Sequence, residues 1–360
     1  MATLGLIVNP FAGVGGRLAL KGSDDRGLVD EALRLGAVRP APERARVALS
    51  ALPPGLRVLS AGGSMGSDIA GAAITAPVAD STASDTRAAA AALVDAGIDL
   101  LLFAGGDGTA VDVLAAIGDR VPVVGIPAGV KMHSAVFATS ARRAGELAAA
   151  FAAGRVTADA PAEVMDVDEA DLRAGTISPR LHGYLRVPLA PGMIQSGKAR
   201  SAPAEAAAQA SAAAHVIERL LGDRPALVGP GTTTRAVMEA LGLAKSLLGV
   251  DLIESGRLIA ADLDEIALWA AATEDASLIV TPVGGQGFVF GRGNQQLSPR
   301  VLRAFLPDRI WIVATEAKLA ALEGRPLLVD TGDPELDSLL AGYRRIVTGY
   351  GRETVYRIAA

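Results

Sequence analysis

Five consecutive residues, Gly105-Gly106-Asp107-Gly108-Thr109, have the make-up of a loop that handles phosphate. They follow the apolar run Leu100-Leu101-Leu102-Phe103 and precede helix-forming residues. Glycines let backbone N–H groups surround phosphate oxygens, and the start of a helix adds a favourable dipole. A loop that only has to turn does not need an acid between its glycines, and a carboxylate repels phosphate. Asp107 makes sense if it binds Mg²⁺ or accepts the proton of an attacking hydroxyl. The ordinary alternative is an Asp-Gly turn with a threonine cap.

Other segments repeat the pattern of an apolar run ending in glycines. Ile7-Val8-Asn9-Pro10 runs into Gly13, Gly15 and Gly16, which makes Asn9, Pro10 and Gly13 candidates for nucleotide contact. After Gly125 come Pro127 and Gly129, then Lys131, whose charge can neutralise phosphate, and His133 and Ser134, either of which can cap a helix. Gly229-Pro230-Gly231-Thr232-Thr233-Thr234 sets three hydroxyls at a helix start, either as an anion nest or as simple capping. Residues 281–296 alternate five glycines with Gln286, Arg292, Asn294 and Gln295, too polar a mixture for a core. They read as the lining of a substrate cleft or as a hairpin. Asp166 and Asp168 share one face if their segment is a strand, where they hold a metal or ribose hydroxyls, or form a solvated edge.

Composition narrows the chemistry. The chain has 360 residues, half of them hydrophobic and a fifth charged, which suits two or three folded domains. Its net charge of −5 argues against attraction to nucleic acid or to an anionic membrane surface. Without cysteine there is no disulfide, thiolate nucleophile or cysteine-ligated zinc, and His133, His182 and His215 are scattered. The 29 arginines against 5 lysines read as genome composition. No leader and no apolar run near the roughly 20 residues of a membrane span is visible, so a cytoplasmic location is expected.

The elements that position these residues alternate. Short apolar runs at 4–8, 57–60, 99–103 and 122–126 read as buried parallel strands. Helical stretches at 26–35, 43–51, 85–96, 109–116 and 142–154 fall between them. The fold class is α/β: a doubly wound parallel-sheet N-terminal domain, expected over 1–155, with a second mixed α/β domain over 156–360. In the second domain a strand is expected at 180–187, a loop at 191–202 and a helix at 204–221. A second alternation follows, with strands at 226–228, 278–280 and 310–313, and the C-terminal tail is free to return to the first domain.

Taken together, these residues resemble the NAD-kinase family, within the superfamily that also holds diacylglycerol kinases and phosphofructokinases. The Gly105-Gly106-Asp107-Gly108-Thr109 loop matches the superfamily signature, and Asn9-Pro10 with its downstream glycines resembles the group's nucleotide loop. Segments 125–134, 248–251 and 284–296 are similar to the ATP-NAD kinase-like branch that includes the acetoin catabolism protein X. The resemblance runs through nearly the whole chain.

The resemblance implies phosphoryl transfer from ATP or inorganic polyphosphate, with Mg²⁺, to the 2′-hydroxyl of the NAD adenosine ribose. It makes Asp107 the catalytic residue. Asn9, Pro10, Gly13, Gly105, Gly106, Gly108, Thr109 and Lys131 become nucleotide and phosphate contacts. Residues 229–234 resemble, more loosely, the family's Thr-Pro-Thr-Gly-Ser-Thr segment. Gly231, Thr232, Thr233, Thr234, Gln286, Arg292 and Asn294 are then the expected substrate contacts. NAD and ATP are the expected partners, and the chain is expected to form a homo-oligomer. The family's Asn-Glu pair is not present as such, and acidic residues 166–169 are its nearest substitute. The second half reads as α/β, whereas ordinary NAD kinases carry an all-β second domain. A kinase of a lipid or sugar alcohol, and a nucleotide-sensing accessory protein without turnover, are the alternatives.

Overall fold

A computed structural model describes residues 2–18, 26–130, 132–158, 160–167, 179–188, 203–246, 248–283, 287–306 and 308–360. Lys131, Asp168, Gln286 and the whole loop expected at 191–202 lie outside the described residues. The chain divides into two compact units, Met1–Gly15 with Gly22–Gly197, and Gly16–Lys21 with Lys198–Ala360.

In the first unit the apolar runs form strands β1 (Thr3–Val8), β2 (Arg57–Ser60), β3 (Leu100–Gly105) and β4 (Val123–Pro127). They pair in parallel in the order β2-β1-β3-β4. The helices between them are α1 (Arg26–Arg34), α2 (Pro40–Ser50), α3 (Ser67–Ala70), α4 (Ala83–Asp95), α5 (Asp107–Ile117) and α6 (Ala141–Ala152). Successive side chains of a strand point to opposite faces. Leu4, Leu6, Leu102 and Ile126 accordingly pack on one face with Ala45 of α2 and Leu147 of α6. Ile7, Leu101, Phe103 and Val123 pack on the other with Leu93 of α4 and Val113 of α5. Because helices cover both faces, these strands are continuous apolar runs rather than alternating ones.

The strand order sets the functional geometry. From β1 the chain passes to β2 on one side and returns to β3 on the other. The carboxyl ends of β1 and β3 therefore flank a switch point, where open α/β sheets bind ligands. An antiparallel hairpin of β5 (Ala160–Val167) and β6 (Pro179–Val187) completes the first unit. Its Val164, Leu185 and Val187 are buried in the same core as Phe103. The residues just beyond 155 thus fold with the first unit.

The second unit is built on a nine-stranded mixed sheet. Its strands are β7 (Ala226–Val228), β8 (Asp251–Glu254), β9 (Arg257–Ala260), β10 (Ser277–Val280), β11 (Phe288–Phe290), β12 (Ile310–Val313), β13 (Leu327–Val329), β14 (Gly342–Gly349) and β15 (Arg352–Ala359). Their order is β11-β13-β15-β14-β12-β10-β7-β8-β9. β7, β10 and β12 are mutually parallel neighbours, so their carboxyl ends lie side by side. The C-terminal tail does not return to the first unit's sheet: it is β15, paired with β14 and β13. The expected class, a parallel α/β sheet followed by a mixed α/β region, is the one observed. None of the described helices is long and apolar enough to cross a membrane.

The helices on the Leu102 face approach unusually closely. Gly145 of α6 lies against the carbonyl of Ala48 in α2, and a side chain there would overlap that backbone atom. Alanine is favoured over glycine within a helix by about 1 kcal/mol. Overpacking costs about 1–3 kcal/mol, and a fixed carbonyl cannot yield as a side-chain tip does. Gly145→Ala should therefore lower stability on balance, seen as a lower urea midpoint for the full chain with the m-value unchanged.

Candidate active site

Asp107 is the first residue of α5 and only 3% exposed. A buried carboxylate needs donors, and the loop after β4 supplies four. Oδ2 accepts from the His133 backbone N–H at 2.6 Å and from His133 Nδ1 at 3.1 Å. Oδ1 accepts from the Ser134 backbone N–H at 3.0 Å and the Ser134 hydroxyl at 2.7 Å. The Ser134 hydroxyl also meets the Met165 backbone in β5, at 3.0 Å from its N–H and 2.9 Å from its carbonyl. With Nδ1 donating, the acceptor nitrogen of the His133 ring is Nε2.

The loops leaving β1, β3 and β4 are fastened to one another. The Asn9 amide donates to the Thr109 hydroxyl at 3.1 Å, spanning the switch point. Its oxygen accepts from the Phe11 N–H at 3.1 Å, which holds the turn containing Pro10. The Gly105 carbonyl accepts from Ala128 N–H at 3.0 Å and Gly129 N–H at 2.9 Å. Gly13 sits against the Ala128 carbonyl. Gly106 caps α5, and Gly108 is exposed at its first turn, whereas Thr109 is buried. The early N–H groups of α5 are those that every helix start leaves without intrahelical acceptors. The structure thus brings Asn9, Pro10, Gly13, Gly105, Gly106, Asp107, Gly108 and Thr109 to one edge of the sheet.

Asp166 is half-buried on β5 opposite Arg180 of β6. Among the described residues no three acidic or histidine side chains gather in a way that could hold a metal. Asp107 with four donors in place is likewise not part of a preformed cage.

In the second unit, residues 231–234 lie where β7 gives way to the helix Thr232–Ala240. Gly231 adopts φ 131°, packed on the Thr281 methyl, a place and a conformation that exclude a side chain. Thr232 is exposed, and Thr233 and Thr234 are buried. The Gln209 amide links the Thr232 hydroxyl to Glu205 Oε1, at 3.2 Å each. The Thr315 hydroxyl donates to the same Glu205 oxygen at 2.6 Å, and Lys318 Nζ donates to the Thr281 hydroxyl at 3.2 Å. Sequence reasoning found the three threonines but missed Glu205, Gln209, Thr281, Thr315 and Lys318. They come from three segments, 205–209, 281 and 315–318, and no short motif joins them.

The glycine-rich segment differs from expectation. From 287 to 298 it is mostly buried rather than open to solvent. Arg292 pairs with Asp330 at 3.0 Å and stacks 4.6 Å from the Phe288 ring centre. Asn294 accepts from Gly291 N–H at 3.1 Å and donates to the Val289 carbonyl at 2.8 Å. Arg292 and Asn294 take protein partners, and Gly291 lets the segment lie directly on the Asp330 backbone. This is why so polar a sequence packs in a core.

A second buried pair steadies the 243–251 turn. Lys245 Nζ lies 2.9 Å from Asp251 Oδ2, and both side chains are almost wholly enclosed. Burial raises the Asp251 carboxyl, but the Lys245 charge and hydrogen bonds from Lys245, Ser246 and Asp262 outweigh it, leaving the group below the ordinary carboxylate value. A group depressed on folding adds stability above its unfolded pKa, and that stability is lost as pH falls through the folded value. Acid unfolding of the second unit should therefore include a step below about pH 4. Lys245→Met removes the neutralising charge and should move that step to higher pH, followed by circular dichroism during acid titration.

A parallel sheet with helices on both faces, and a buried carboxylate at a helix start beside its switch point, defines a doubly wound α/β protein. The model of the ATP-NAD kinase N-terminal domain matches residues 4–156, and that of the ATP-NAD kinase C-terminal domain matches residues 226–358. The chain belongs to the ATP-NAD kinase family. No curated protein matches it. Among solved structures it is similar to a diacylglycerol kinase from Bacillus anthracis str. Sterne, at 17% identity and a TM-score of 0.25, over 44% of each chain. Two further structures from that organism match at 17% identity and a TM-score of 0.26, over 44% of this chain and 43% and 41% of theirs. The chain thus spans less than half the length of each of these structures.

Proposed function

We propose that the protein is a phosphotransferase that moves a phosphoryl group from MgATP, or from polyphosphate with Mg²⁺, to the 2′-hydroxyl of the NAD adenosine ribose, giving NADP. The observation that carries this reading is Asp107, a buried carboxylate at the first turn of α5, framed by the loops of the switch point. The first unit's loops take the donor phosphates on backbone N–H groups, with Lys131 adding positive charge. Residues 231–234 contact the dinucleotide.

The bond from donor oxygen to phosphorus breaks, the bond from the 2′-oxygen to phosphorus forms, and the hydroxyl proton passes to Asp107. Such transfers depend mainly on positioning and charge stabilisation, and no covalent intermediate is required. A carboxylate has about four lone-pair sites, and Asp107 uses four. The His133 ring contact is the longest of the four, at 3.1 Å, and the easiest to displace. A substrate hydroxyl takes that place while the backbone donors keep the carboxylate oriented.

The test is incubation of the full chain with Mg²⁺ and ATP or polyphosphate against NAD, NADH and other alcohols, read by mass spectrometry. NADP is the expected product, and phosphorylation of another alcohol in its place overturns the acceptor assignment. Asp107→Asn should lower kcat by about a hundred- to ten-thousandfold, the usual worth of a general base, with nucleotide binding largely kept. His133→Ala should retain at least about a tenth of the turnover, because the acceptor remains and only a displaceable donor is gone. Excess EDTA should abolish turnover and added Mg²⁺ restore it, since the cation neutralises the transferring phosphates.

A further inference from the structure

The second unit holds a cavity in which residues 231–234 take no part. Its volume is about 390 Å³, within the range of small-molecule sites. It opens beside β12 and β14, whose pairing is confined to Ile312 with Ile346 and Val313 with Val347, although β14 starts at Gly342. Ile310 and Trp311 of β12, with Tyr343, Arg344 and Arg345 of β14, line the cavity just before that pairing begins. This is the amino edge of β12. Residues 231–234, Thr281 and Thr315 follow the carboxyl ends of β7, β10 and β12, so the cavity lies at the opposite edge of the sheet.

The lining sets the ligand. Phe290, Leu306, Ile312, Leu340 and Ile358 give the cavity apolar walls, and Trp311 adds a second aromatic ring. An apolar group suits such walls, and an aromatic one gains ring-to-ring contact beyond the area it buries. Four charged residues also line the cavity: Asp308, Arg344, Arg345 and Glu353. Arg345 and Glu353 neutralise each other, 3.5 Å apart. Arg344 gives one N–H to the Leu339 carbonyl at 2.8 Å and meets no carboxylate among the described residues. Asp308 is exposed and accepts no hydrogen bond among the described residues. One guanidinium and one carboxylate are thus left beside an apolar cavity. An apolar acid would leave Asp308 facing a second negative charge, and an apolar amine would set its charge against Arg344. A zwitterion with an apolar body meets both groups.

We propose that this cavity binds a free α-amino acid with an apolar side chain. The side chain enters beside β12 and β14, the carboxylate takes the open N–H groups of Arg344, and the ammonium meets Asp308. An arginine fork is well matched to a carboxylate. The site is separate from the edge assigned to phosphoryl transfer and stands whether or not that reaction occurs.

The experiment is calorimetric titration of the full chain with L-phenylalanine, 2-phenylethylamine, 3-phenylpropanoate and glycine. Wild type should bind L-phenylalanine about tenfold tighter than the amine or the acid, the worth of one hydrogen bond to a charged group. Glycine, which has no side chain for the cavity, should give no binding heat. Arg344→Met should bring L-phenylalanine down to the affinity of the amine, and Asp308→Asn down to that of the acid, each with its thermal melt checked. No binding of L-phenylalanine, equal or tighter binding of the amine or the acid, binding of glycine as tight as that of L-phenylalanine, or an unchanged L-phenylalanine affinity in both variants overturns the proposal. The wild-type series decides even where a variant fails to fold.

Discussion

A carboxylate buried at the start of α5 must be met by donors, and the first unit is arranged around that requirement. Asp107 draws the 133–134 backbone onto itself with four hydrogen bonds. Ser134 passes the connection on to Met165, which fixes the near end of the β5–β6 hairpin. Gly105, two residues earlier, accepts from Ala128 and Gly129, so the same short stretch also anchors the start of the loop it draws in. This edge of the sheet is therefore not a flexible turn. Its acid, its glycines and its neighbouring loop hold one another in place.

The legible part of the molecule is the part where one chemical cause produces one sequence pattern. Runs such as Leu100 to Phe103 announce buried parallel strands because both faces must be apolar, and the glycine turns that follow mark the carboxyl edge. The turn at Gly105–Gly106 could be read for a related reason, since an apolar run followed by glycines marks a strand end. The second unit was read less well. β8, β9, β11 and β13 are only three or four residues long, and β14 and β15 are interrupted by Tyr343, Arg344, Arg345, Tyr356 and Arg357, so no apolar run marks them. The Tyr350-Gly351 turn between two alternating stretches was the available signal for the hairpin.

The candidate site of the second unit was hidden for a different reason. Glu205, Gln209, Thr281, Thr315 and Lys318 are unremarkable in their own segments, and only the adjacency of β7, β10 and β12 brings them together. Conversely, Arg292 and Asn294 stood out because they are polar among glycines, yet their partners are Asp330, Phe288 and nearby backbone. Polarity in a sequence signals a need for partners. It does not say whether those partners come from the protein or from a ligand.

The strand order of the second sheet has a consequence for how the chain acquires its fold. β11 and β13 join the rest of the sheet only through β15, which pairs with β13 on one side and β14 on the other. Residues 288–290 and 327–329 thus wait on residues 352–359, and the sheet cannot close until those have left the ribosome. Until then β13 has an open edge and the apolar faces of β11 and β13 have incomplete cover, a state prone to non-native pairing. The long sequence separations make this closing step slow. The first unit, whose parallel sheet lies before residue 128 and whose hairpin ends at residue 187, faces no such delay and can be folded while the second is still being made.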